Sequence, residues 1–401
     1  MSVSNSGQQR FKEKGTGFVV LVVLSVGMFL LTNAFIYLYG INNVLSEGTL
    51  LLGLIDALLT FTLFTLFFHL YRRKIHALFN VWRNRFGNKS SQLAVTILAL
   101  TFFSLLIWVS PNTITMIIDG VTRQSVVESS GGNALITSLA STFFFLSVVL
   151  VGFSSAGGKY KLMLAVGAAF SIVVLTSRAG LMLLGWLFII VYLIEYRPRK
   201  LLVLGVAGVV LVAGGSLVTS MVQNRPLESV FLGPLKPVED LFLYRGYSYV
   251  LADVATEWAR DGMKLLFPFF GYFSERILIG LGLATHPVDS DAVVRFFVFD
   301  SDIRQHSANV VYPWWAWFYG AYGVAGLVFK AAYLFALLRL ALYLRSFPLL
   351  ILLIYWGLFS GFGKHPLISL DGYMMLFWVL IIDLISKMRM MRCRAETVVG
   401  S

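Results

Sequence analysis

Charge is what this sequence has least of: charged residues fill 13% of its 401 positions, roughly half the ~25% usual in a soluble domain. Hydrophobic residues make up 58% and mean hydropathy is +0.80, so an ordinary soluble fold is excluded. Cysteine is scarcer still. The single Cys393 rules out an intramolecular disulfide. Also missing are a His/Cys metal-ligand cluster, a Gly-rich phosphate loop before a strand and a Ser nucleophile elbow. No long-period repeat is present, and no low-complexity tract beyond the polar start. No cleavable leader is expected, because 17–39 is long enough to stay as a span and no small-residue cleavage site stands out.

What is abundant is long apolar runs. A bilayer core about 30 Å thick needs ~20 apolar residues as a helix, and the sequence predicts ten such spans. They are 17–39, 49–71, 93–110, 134–153, 162–176, 179–194, 201–222, 313–338, 347–362 and 373–386. The runs at 162–176 and 179–194 read as an out-and-back hairpin, since one continuous helix would overshoot the bilayer and strand Arg178 near its middle. The net charge of +12 invites a nucleic-acid reading, but its distribution opposes it. Of the 32 Lys and Arg, 20 fall in short clusters between alternate spans: 10–14, 72–89, Lys159 and Lys161, 197–200, Arg339 and Arg345, and 387–394. That is the positive-inside pattern, with anionic cytoplasmic lipid as the partner and both termini expected in the cytoplasm.

The stretch 223–312 is different. It holds 11 of the 20 acidic residues against 8 Lys and Arg, and a translocated segment of this length escapes the positive-inside rule. It is read as one long outer loop within a single integral membrane domain, 1–401. Inside it, 239–263 has helical periodicity. Leu243, Tyr247, Leu251, Val254 and Trp258 fall on one face, and Arg245, Tyr249, Asp253, Glu257 and Arg260 on the other. Such a helix is expected along the membrane surface. The stretch 276–283 is short and apolar and reads as a partial re-entrant piece.

Several residues invite chemistry. Arg178, at the outer mouth of the hairpin, is the side chain type that clamps phosphate through two parallel hydrogen bonds; an interfacial Arg snorkelling to headgroups gives the same pattern. At the loop's end stand Arg304, His306, Ser307, Ala308 and Asn309, followed by Pro313, Trp314 and Trp315 and by spaced Gly320, Gly323 and Gly326. A boundary His accepts a proton from an attacking hydroxyl, and Arg304 can hold an anionic leaving group. The Trp pair suits an interfacial belt and the glycines suit close helix packing. An ordinary loop His beside an aromatic girdle is the simpler reading of these residues alone. Asp289 with Asp291 and Asp300 with Asp302 form two Asp-x-Asp pairs that can hold a divalent cation; an acid-rich loop also produces them by chance. Within the spans, Asp56 lies about two turns in, and Lys330 in the cytoplasmic third, where it can snorkel. Asp383 is expected to pair with Lys387 at i,i+4.

Taken together, the ten spans, the Ser-Arg-Ala-Gly break at 177–180, the late loop closing on His306 and the Gly-x-x-Gly-x-x-Gly span resemble the O-antigen polymerases. These are oligosaccharide repeat-unit polymerases related to the O-antigen ligases. The resemblance covers most of 90–390 and implies an all-α, GT-C-like membrane glycosyltransferase of the bacterial inner membrane. Such enzymes act on undecaprenyl-pyrophosphate-linked glycan at the periplasmic face, release undecaprenyl pyrophosphate, and need no nucleotide sugar, cofactor or bound metal. It places the family's Arg on Arg178 and its loop basic residues on Arg245, Arg276 or Arg304. The ligase His falls on His306, although Ser307 and Ala308 interrupt the ligases' His-Asn pair. Tyr247, Trp258 and Tyr272 are candidates to stack on sugar faces. A chain-length regulator is a partner the resemblance admits. A ligase or other membrane glycosyl- or acyltransferase, and a secondary transporter, are the alternatives; a transporter should show two matching halves, which this sequence lacks.

Overall fold

The computed structural model describes residues 4–46, 48–85, 100, 104, 107–108, 179–195, 236–260, 264–283, 295–301, 304–310, 312–360, 365–370, 372–381, 383–384 and 387. The expected spans at 134–153, 162–176 and 201–222, nearly all of 93–110, and Arg178, Asp289, Asp291, Asp302 and Cys393 lie outside them. Helix dominates the described residues, as an all-α fold requires, with one two-stranded hairpin beside it. Among the described residues, three helices are long and apolar enough to cross a membrane: Thr16–Leu38, Thr49–Asn84 and Val324–Tyr343. Shorter apolar helices at Gly185–Glu195, Phe347–Phe359 and Gly372–Ile381 coincide with three further expected spans. The chain forms two compact units, each gathered from separate stretches.

The first unit comprises Met1–Arg72, Val238–Tyr343 and Leu352–Gly372. Helix α1 (Ser4–Leu38) stops at Gly40, whose φ of +66° is the left-handed conformation that favours glycine after a helix. Helix α2 (Thr49–Arg85) returns antiparallel to it: Phe18 stacks on Phe68 at 4.7 Å, and Phe29 meets Phe61 edge-on at 6.2 Å. The expected end at 71 lies inside α2. No Gly or Pro occurs in 72–85, and Ile75, Leu78, Phe79 and Trp82 recur at helical steps and are buried. Periodicity therefore continues past the point where hydropathy falls.

Two expectations from the sequence are corrected. Helix α4 (Lys236–Arg260) has its expected wet face only part exposed: Glu257 and Arg260 are exposed, Arg245 and Asp253 are half-buried and Tyr249 is buried. Its apolar Tyr247 and Leu251 are buried, and so are Tyr249, Ala252, Ala255 and Ala259 from other sides. Small residues permit this enclosure. A Cβ on Gly246 would lie 3.1 Å from Ile36 of α1, and one on Gly53 would lie 2.4 Å from the Tyr249 ring. Asp253 accepts hydrogen bonds from Ser46 (2.8 Å) and Thr49 (3.0 Å), fixing α4 at the start of α2, where a carboxylate complements the helix dipole.

The expected span 313–338 is likewise broken. Helix α7 (Trp314–Tyr322) and helix α8 (Val324–Tyr343) meet at Gly323, with φ +62°. A Cβ on Gly326 would come within 2.0 Å of the Phe318 carbonyl, and one on Gly320 within 2.5 Å of the Thr256 carbonyl of α4. The glycine spacing serves close packing, as its pattern suggests. Trp314, Trp315 and Trp317 are 2%, 1% and 0% exposed, so they form core and not an interfacial belt. Between α4 and α7 lie α5 (Phe267–Phe270), α6 (Tyr272–Gly280) and the antiparallel hairpin of β1 (Arg295–Ser301) and β2 (Arg304–Val310). The unit also contains the end of α9 (Phe347–Tyr355), which runs into a π-turn at Trp356–Ser360.

The second unit comprises Arg73–Pro237, Leu344–Ile351 and Tyr373–Ser401. In it α3 (Ala179–Glu195) is tied to the end of α2 by an Arg83–Glu195 ion pair of 3.1 Å. Phe347 packs on Phe79 at 5.4 Å and on Trp82 at 6.4 Å. Lys387 pairs with Asp383 as its i,i+4 spacing predicts, and also donates to the Leu344 carbonyl at 2.7 Å.

Candidate functional site

The most chemically loaded place in the described structure is the interior of the first unit, where α2, α4, α8 and the π-turn converge. Asp56 and Lys330 are partners: the Lys330 ammonium donates to both carboxylate oxygens, at 2.7 and 2.5 Å, and the two side chains are 1% and 2% exposed. Lys330 also lies 5.7 Å from the centre of the Trp314 ring. It does not snorkel. The break at Gly323 explains the corrected depth, because Lys330 is six residues into a helix beginning at Val324, about 9 Å at 1.5 Å per residue. Asp56 is seven residues into α2, at nearly the same distance from its helix start.

Tyr249 stands beside this pair. It is 1% exposed, and its hydroxyl has no hydrogen-bond partner among the described residues. Burial raises its pKa, with the Asp56 carboxylate adding to the shift and the Arg245 guanidinium opposing it. The phenol thus remains a proton donor throughout the physiological range. A buried, unsatisfied hydroxyl costs about 1–3 kcal/mol, so its retention needs an explanation.

Arg245 lies one turn before Tyr249 on α4. It is half-buried and donates to the Phe359 carbonyl at 2.6 Å. Burial depresses its pKa, while nearby Tyr355 and Tyr249 act in the opposite direction. The π-turn supplies the receptor. Carbonyls at the end of a helix lack intrahelical donors, and here Ser25 takes Leu358 (2.6 Å) while Arg245 takes Phe359. A guanidinium has five N–H donors; Arg245 spends one here and forms no ion pair among the described residues. π-turns recur at functional sites. The cluster carries one net positive charge, from Arg245, Lys330 and Asp56 together.

The other sequence candidates do not gather here. Trp258 joins an aromatic cluster with Tyr312 (5.3 Å) and Trp317 (6.4 Å), with Lys264 5.8 Å above its ring. Tyr247 is core. Arg276 is exposed on α6, 5.1 Å over Tyr272. Arg304 and His306 belong to β2, opposite Ser301 and Phe299 of β1 respectively, and Asp300 belongs to β1. No group of three metal-ligating side chains occurs among the described residues.

Two features escaped the sequence. Tyr249 reads as polar-face until the small residues Ala252, Ala255 and Ala259 are noticed; their three- and four-residue steps signal close packing beyond the apolar face too. His365 reads as a loop residue, yet it is fully buried. Its Nδ1 accepts from the Leu367 N–H at 3.0 Å and its Nε2 donates to the Phe267 carbonyl at 2.9 Å. Both nitrogens are engaged, so the ring is a neutral brace. No family model, curated protein or solved structure matches the chain.

Proposed function

We propose that this chain is a membrane glycosyltransferase that polymerises undecaprenyl-pyrophosphate-linked repeat units at the periplasmic face of the inner membrane. In this reading it has about ten spans, a GT-C-like arrangement and both termini in the cytoplasm. Arg245 carries the proposal. It is one of the basic residues onto which the polymerase resemblance maps, and its guanidinium has donors left over beside the unpaired phenol of Tyr249. Departure of a pyrophosphate requires positive charge where negative charge develops, and preorganised donors supply it. Arg178 remains the second proposed clamp, with His306 or an acid of the loop as base for the attacking hydroxyl.

The decisive experiment is the glycan profile of a deletion strain. The expected result is surface glycan limited to a single repeat unit; normal long-chain ladders would rule the polymerase out. Long chains retained on the polyprenyl carrier would point instead to a ligase. In complementation, Arg245→Lys and Arg178→Lys should each fail to restore ladders although the protein inserts, since Lys lacks the planar fork. A secondary transporter is the second reading, favoured by the enclosed Asp56–Lys330 pair, because transporters place such charges on their ion pathways. It predicts substrate-driven uptake into proteoliposomes, with no polymer made from lipid-linked repeat units.

A further inference from the structure

Residues 264–283 are built inside out. Of their polar side chains, Ser274 and Glu275 are turned inward and buried, with Lys264 3.7 Å from Glu275. Outward point Leu265, Leu266, Phe270, Phe273, Ile277 and Leu281, each 41–66% exposed. A helix bathed in water shows the reverse arrangement. The outward orientation is also held firmly. Tyr272 N–H donates to the Leu367 carbonyl (2.9 Å), and Gly271, at φ +49°, lets the two backbones approach so closely that a Cβ would sit 2.1 Å from that oxygen. Backbone carbonyls of the segment accept from Trp314 (3.0 Å), Tyr322 (2.6 Å), Tyr333 (2.9 Å) and His365 (2.9 Å). The backbone thus finds partners on the protein side, as a segment leaving water must.

We infer that this segment is a wedge inserted into bilayer lipid. Lipid is the occupant because the face continues that of a membrane-capable helix. Tyr322, which holds Leu265, packs at 5.3 Å on Phe329 of α8, and there Val324, Val328 and Phe329 are exposed in turn. The one charge left on the outside is Arg276, which suits phosphate headgroups at the edge of the apolar layer. The inference holds whether or not the chain is a polymerase.

The test is site-directed spin labelling of the full chain in a Cys393→Ser background. It uses Ile277→Cys, Leu281→Cys and, as an aqueous control, Glu257→Cys, in vesicles of phosphatidylcholine and phosphatidylglycerol. Labels at 277 and 281 should collide several-fold more often with oxygen than with a water-soluble nickel chelate, and the label at 257 should show the opposite. Nickel access at 277 and 281 would overturn the wedge by showing water there. Shielding from both reagents would overturn it in favour of a protein partner. Phe273→Trp gives the same answer without a label, read as added quenching by brominated acyl chains over that of the nine native Trp: no added quenching counts against insertion.

Discussion

The ion pairs of the two units make an instructive contrast. In the first, Asp56 and Lys330 come from helices 274 residues apart in sequence and are sealed from solvent. In the second, Asp383 and Lys387 are one turn apart on one helix, and Arg83–Glu195 leaves the Arg side chain 43% exposed. An exposed pair such as Arg83–Glu195 contributes about 0–1 kcal/mol, because water and salt screen it and long side chains lose freedom. An enclosed pair is different in kind. Its formation is opposed by desolvation, so it adds little over an apolar pair of the same shape, yet removing one member strands a bare charge at about 3–5 kcal/mol. The first pair therefore specifies how helices meet, while the others trim what is already placed.

That contrast can be broken by mutation. Asp56→Ala or Lys330→Ala should give the largest effect, a loss of about 3–5 kcal/mol, seen as a collapse of thermal stability in detergent. The double variant Asp56→Leu with Lys330→Met should recover most of this, as apolar replacement of a buried pair is often neutral. A double variant as unstable as the single ones would show that the pair is more than mutual neutralisation. Under the proposed polymerase function, the glycan ladder of this variant adds a further reading, because full activity would confine the pair to a structural role. Gly271→Ala comes next. A left-handed backbone and a blocking carbonyl should cost about 1–3 kcal/mol, measurable as a lower melting temperature. Smallest is Arg83→Ala, within about 1 kcal/mol; raising the salt in wild-type samples should erase most of the difference.

The sequence made the same contrast half visible. Asp383–Lys387 is legible because helix geometry alone puts i and i+4 together. Asp56 and Lys330 stand out as intramembrane charges, but reading 313–338 as one straight span put Lys330 toward the cytoplasmic end and hid its partner. The decisive fact is the backbone at Gly323, and a glycine in an apolar run signals packing or a break with equal force. Hydropathy locates α1 and α2 well, since length and apolarity are one-dimensional properties. It reads only part of α4 correctly: Glu257 and Arg260 are exposed, but whether Arg245 and Tyr249 meet water depends on neighbours more than a hundred residues away. The buried brace of His365 was hidden for the same reason.

The distance along the chain between Asp56 and Lys330 also sets a timetable. A ribosome adding ~5–20 residues per second takes roughly 14–55 s to make the 274 residues that separate them. During co-translational insertion the carboxylate on α2 therefore leaves the ribosome long before its ammonium exists. In that interval the nascent helix must carry Asp56 protonated, keep it hydrated, or rest it against the insertion machinery. Ser25, whose acceptor is Leu358, waits longer still. The charge that fixes the finished unit is thus a liability while the unit is being made, and the hand-over to Lys330 dates the moment at which the first two helices stop depending on their escort.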